Sequence, residues 1–350
     1  MAGVIDLFTH VLPRAFIEYL ERRTGGMPPS LSGILQVRTA LYDLERRARV
    51  MDQFEGYCQV ITLTVPPIES FGPSDVSRDL ARVANDAMAE IVRADPAHYL
   101  GFVASVALDD VDGALDEMDR ALRDLQAMGI QICTNVNGLP LDDARFTPFF
   151  ERLAEHDVPL WVHPYRTPGL TDYASETSSR FGMWMAFGWP YETSVFMSRL
   201  ILAGYLDRFP NLSIVTHHAG AMIPHFAHRI GAGLADLPPV AAEGEPPPTS
   251  HEELQARVIE RYRRFYVDTA VAATRLGIQN ALDFFGPEHV VFATDMPFDP
   301  ENGPAWIRDT LACLDQMQLS AEHRQLILTG NARRLLAASP SGRGRRGSGG

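Results

Sequence analysis

A (β/α)8 barrel is the fold class this sequence predicts, and three observations predict it. Eight short apolar, β-branched runs are spread along the chain. Amphipathic helical patterns separate most of them, as a parallel sheet covered by helices requires. No glycine-rich phosphate loop follows the first run, and neither GxGxxG nor GxxxxGK[ST] follows any of the expected strands, which disfavours the doubly wound nucleotide-binding sheet.

The expected strands are Val4 to Val11, Cys58 to Val65, Tyr99 to Val106, Ile130 to Val136, Leu160 to His163, Leu212 to Thr216, Phe265 to Asp268 and Val290 to Thr294. Between them, Asp75 to Asp95 and Asp112 to Met128 carry apolar residues at three-to-four spacing, the signature of a half-buried helix. Pro148 to His156 follows, with Thr147 as the expected cap and Pro148 at the first helical position. Ser194 to Phe209, Arg275 to Phe285 and Ala305 to Gln318 continue the alternation. Two inserts interrupt it: Arg23 to Thr39, rich in Gly, Pro and Ser, and the Pro-rich acidic stretch Leu237 to Ser250, read as a surface excursion. The expected organisation is one barrel over 1–338, followed by a disordered Gly/Ser/Arg tail over 339–350.

Composition narrows the function. The formal charge is 31 − 44 = −13, which argues against a partner read through its phosphates. No run of 18 apolar residues suggests a transmembrane helix, and the first residues do not resemble a signal peptide. Cys58, Cys133 and Cys313 are odd in number and widely spaced, so they fit a reducing cytoplasm better than a disulfide framework.

In a barrel of this kind chemistry sits where the strands end, because the loops after the strands build that rim. Strand one ends near His10 and strand five in His163, with Arg166 just beyond. Strand six runs into His217 and His218, strand seven ends in Asp268, and strand eight leads to Asp295. Imidazole with carboxylate is a ligand set for Zn²⁺, Mn²⁺ or Fe²⁺. The remaining histidines, His98, His156, His225, His228, His251, His289 and His323, fall on helices or loops and are read as structural or solvated.

Taken in order, IDLFTHVLP, LWVHP, THHAGAMIPH, FATDMPF and NARRLL resemble the motifs of the amidohydrolase superfamily. The branch they resemble includes aminocarboxymuconate semialdehyde and resorcylate-type decarboxylases, and the likeness runs from about Val4 to Ala337. It implies His10, His163 and Asp295 as metal ligands, with Asp295 also relaying protons. Counted back from Pro224, His218 matches the sixth-strand acid/base histidine. Neighbours on a strand face opposite sides, so His217 is expected toward the helix layer unless the strand has already ended.

The first strand departs from the pattern. Residues two apart on a strand point the same way, which lets two imidazoles enter the barrel together. Here Phe8 stands where the first ligand belongs, two residues before His10. A phenyl ring cannot coordinate a cation. Asp6 would share that face, but it lies about 13 Å from His10 at about 3.3 Å per residue.

The resulting expectation is a metal-dependent decarboxylase acting on a small aromatic or unsaturated carboxylic acid, with Zn²⁺ ahead of Mn²⁺. Catalysis is assigned to His218, Asp295 and Arg166, the arginine forking onto a substrate carboxylate. Phe8, Trp184, Trp189 and Phe298 would line a slot for a planar ring. The apolar stretch Met183 to Pro190 suggests a homodimer contact. The alternatives are a hydrolase or hydratase of the same superfamily, and a barrel that has lost its metal at Phe8.

Overall fold

The computed structural model describes residues 3–234 and 250–337. Eight parallel strands follow one another around the molecule in chain order. They are β1 (Val4–Val11), β2 (Tyr57–Leu63), β3 (Tyr99–Phe102, continued by Ala104–Ser105), β4 (Ile130–Cys133), β5 (Leu160–His163), β6 (Ile214–Thr216), β7 (Tyr266–Asp268) and β8 (Val290–Val291). Register pairs run from His10 with Thr62 through Cys133 with His163 to Asp268 with Val291.

Backbone bonds then close the ring. Leu7 N–H donates to the Phe292 carbonyl (3.0 Å), Asp295 N–H to Phe8 (3.3 Å) and His10 N–H to Met296 (2.8 Å). The predicted barrel is present, and its last strand is sewn to its first beside His10.

Inside the ring Ile5, Leu7, Phe8, Val60, Val103, Trp161, Val215 and Val291 pack together. A larger apolar layer lies between strands and helices, including Phe102, Phe149, Phe150, Tyr262 and Phe292. Leu7 and Phe8 together oppose Val60, because the β1–β2 register shifts between Asp6 and Thr9. Such a bulge resets the alternation of side chains. It also overturns the expectation that Asp6 shares the inward face: Asp6 bonds instead to Tyr57 and to Thr294, each at 2.5 Å.

Several boundaries differ from the sequence reading. The fourth strand stops at Cys133, and Asn135–Val136 pairs with Leu139–Pro140 as a hairpin around Asn137 and Gly138, both at positive φ. The insert after β1 holds a helix, Pro29–Val37, and a further helix, Leu44–Met51, precedes β2. Helix Thr147–His156 begins at Thr147 itself, since a 3-10 turn over Ala144–Phe146 runs straight into it. The helix expected over Ser194 to Phe209 is two, Gly188–Leu202 and Tyr205–Arg208, separated at Gly204 (φ 75°). The Pro-rich insert from Leu237 onward and the C-terminal tail lie outside the described residues.

Candidate metal centre

The rim residues converge at the carboxyl ends of β1, β5, β6 and β8. One nitrogen each from His10, His163 and His217 lies within 4.8 Å of the other two, and His217, His218 and Asp295 form a second such group. Asp295 joins the two groups. Its Oδ1 stands 3.1 Å from His10 Nε2 and 3.4 Å from His217 Nε2, while Oδ2 stands 3.7 Å from His218 Nε2.

His217 is the main correction to the sequence reading. It is buried inside the site rather than turned toward the helices. Strand β6 ends at Thr216, and His218 and Ala219 adopt left-handed backbone (φ 66° and 56°). Strand alternation no longer applies there, so both neighbouring imidazoles reach the cluster. Asp295 is likewise left-handed, at φ 62°. Non-glycine residues in this region carry strain and tend to gather at functional sites.

Asp268 is the site residue whose role the sequence reading left unassigned. Its carboxylate accepts from His217 Nδ1 and from the backbone N–H groups of His218 (2.9 Å), Ala219 (3.1 Å) and Ala270 (3.0 Å). The turn that carries both histidines is therefore fastened to the end of β7.

Electrostatics divides the imidazoles. Burial lowers the pKa of His10 and of His218, and takes His163 well below its ordinary value. Burial opposes charge on His217 too, but Asp268 and then Asp295 outweigh it and raise that group to about 10. Asp295 is held well below the usual carboxylate range, despite burial, by the close imidazoles of His10, His217 and His218. A buried carboxylate, Asp268, and a partly buried one, Asp295, thus make this end of the barrel attractive to a cation.

The donor set fits a divalent metal. The Nε2 atoms of His10 and His217 are buried and make no hydrogen bond, their approaches to Asp295 lacking the required geometry. An orphaned imidazole nitrogen is costly unless something binds it.

Aromatic rings enclose the cluster. Phe8 stacks on His217 (centroids 4.0 Å apart, planes at 20°) and stands 5.5 Å from the His10 ring. Trp189 meets His163 edge-on at 5.3 Å, Trp184 lies against Trp189, and Phe298 meets His10 at 5.6 Å. Arg166 takes part in an ion pair. Its guanidinium is paired with Glu192 (3.2 Å), and both line a neighbouring cavity of about 840 Å³ with Thr134, Asn135 and Tyr165. Nη1 of the fork expected for a substrate carboxylate meets a protein one here.

Comparison with known proteins agrees with this architecture. Residues 63–337 match the family model described as amidohydrolase. Gamma-resorcylate decarboxylase of Rhodococcus jostii is 29% identical over 318 residues, covering 87% of this chain and 91% of its own. The crystal structure of 5-carboxyvanillate decarboxylase from Sphingomonas paucimobilis superposes with a TM-score of 0.78 at 24% identity, over 96% of this chain and 99% of that one. The Novosphingobium aromaticivorans 5-carboxyvanillate decarboxylase, complexed with manganese and 4-hydroxy-3-methoxy-5-nitrobenzoic acid, gives 0.75 at 26% identity, over 96% of each chain.

Proposed function

The chain belongs to the amidohydrolase family, and from that premise we propose that it is a metal-dependent carboxy-lyase releasing CO₂ from a small aromatic carboxylic acid. The observation that carries this reading is Asp295, one carboxylate shared between the ligand cluster and His218. The relatives described as gamma-resorcylate and 6-methylsalicylic acid decarboxylases support it, at 26–29% identity.

His10, His163 and Asp295 would hold the ion. When bound, it would polarise the substrate carboxylate and an adjacent hydroxyl as a Lewis acid. An imidazole-rich set suits Zn²⁺, while the related carboxyvanillate decarboxylase carries manganese. The rings of Trp189 and Phe298 would confine a planar substrate, whereas Phe8, expected to line the same slot, is sealed beneath His217. His218 and Asp295 share the proton work. A proton passes from this pair to the ring carbon bearing the carboxylate, the C–C bond breaks, its electron pair restores the ring, and CO₂ leaves. The side chain of His218 is 22% exposed, which lets solvent return the proton.

Cys58, Cys133 and Cys313 form no disulfide, which supports a cytoplasmic setting. A homodimer is supported by the exposed apolar residues Phe181, Met185, Phe187 and Tyr191.

The test is CO₂ release from a panel of hydroxybenzoic acids by protein loaded with Mn²⁺ or Zn²⁺. At least one ortho-hydroxy acid should be turned over, with loss on chelation. His218→Ala should lower kcat by about 100-fold or more while the ion stays bound. No release from any acid would refute the reading.

A further inference from the structure

The three innermost imidazoles share a design. His10 Nδ1 is 3.0 Å from Thr62 Oγ1, His163 Nδ1 donates to the Pro164 carbonyl (2.7 Å), and His217 Nδ1 is bonded to Asp268. Tying one ring nitrogen to an outer partner fixes the tautomer and leaves the other as a lone-pair donor, which is how metal-binding histidines are held. The free nitrogens point to one place. The ring centroids form a nearly equilateral triangle, with sides of 5.2, 5.2 and 5.7 Å. Asp295 Oδ1 stands over two of the three Nε2 atoms.

We propose that His217 is itself a metal ligand, taking up the coordination that Phe8 withdraws from the first strand. Three imidazoles and Asp295 would then hold the ion, in place of the two imidazoles and Asp295 assigned above. Phe8 contributes by packing: its ring lies flat on His217 and keeps that imidazole turned toward His10 and His163. Asp268 acts through His217 as a positioning residue, its negative charge raising the basicity of the coordinating nitrogen. A coordinated Nε2 carries no proton, so delivery to substrate falls to His218, the imidazole outside the triangle. The inference rests on the reading above that a divalent ion binds here.

The test uses the full-length protein, stripped of metal and labelled with ¹⁵N at its eleven histidines, titrated with Zn²⁺ alone. Ring-nitrogen NMR should show three imidazoles acquiring a coordinated nitrogen, and the count should stay at three in His218→Gln. Two in either protein would overturn the assignment of His217 while leaving the metal reading intact. Failure to bind Zn²⁺ at all would overturn both. Affinity gives an independent readout. His217→Gln should weaken Zn²⁺ binding about 100-fold and Asp268→Asn about tenfold, with melting temperatures confirming that both variants fold. Unchanged affinity in a folded His217→Gln protein would refute the proposal.

Discussion

At Phe8, one side chain decides how the centre is built. Its ring is fully buried against His217 and near His10 and His163, in the place from which a second first-strand imidazole would reach the cluster. Phe8→His should therefore tighten Zn²⁺ binding about tenfold or more, read by competition with a chelator. Equal or weaker affinity in the folded variant would show that position 8 is not a ligand position. This residue was legible from sequence because the spacing of Phe8 and His10 places both on one face of β1. His217 was misread because the alternation of a strand was extended one residue too far. Gly220 is the local sequence signal, and in the structure His218, Ala219 and Gly220 all leave extended backbone, with positive φ at each.

The helix Leu44–Met51 shows why an element can escape a pattern search. Its sequence, LERRARVM, has two adjacent arginines, and the second, Arg47, is fully buried. A cation on the core face disguises the apolar stripe on which helix detection relies. Asp43 caps the helix by accepting from Arg46 N–H. Arg47 then reaches across to β1: Nη1 donates to the carbonyls of His10 (2.7 Å) and Ala40 (3.2 Å), and Nε donates to Gln59 (2.8 Å). Arg47→Met would leave these buried acceptors without donors and should cost on the order of 3 kcal/mol in urea unfolding. A loss below about 0.5 kcal/mol, the level of ordinary surface changes, would contradict this role. The hairpin after β4 was readable by contrast, since Asn137 and Gly138 form the dipeptide that favours such a turn. It was absorbed into the strand because its apolar residues continue those of Ile130–Cys133.

For the molecule as a whole, the decisive feature is the seam between β1 and β8, where the barrel closes and the site begins. Asp6 holds that seam, accepting from Thr294 Oγ1, Thr294 N–H, Phe8 N–H and the Tyr57 hydroxyl. Burial raises its pKa from 3.8 to about 7 against these hydrogen bonds. Between about pH 4 and 7 the folded chain thus keeps a proton that the unfolded chain has released, so the contribution of Asp6 to stability falls as pH rises. Asp6→Asn should remove that fall, so its stability relative to the parent should improve from pH 5 to pH 7. A difference independent of pH would contradict it. The barrel itself was legible in the order of apolar runs. The bonding of its seam was not, because β8 is only Val290–Val291 and the seam depends on backbone bonds from Phe292, Asp295 and Met296.

This rim should hold a divalent ion although Phe8 stands where a first-strand ligand is expected. Plasma mass spectrometry, on protein purified without an affinity tag, incubated with Mn²⁺ or Zn²⁺ and desalted, tests it most directly. About one ion per chain is expected from one donor cluster. Protein that stays empty after both ions would contradict it.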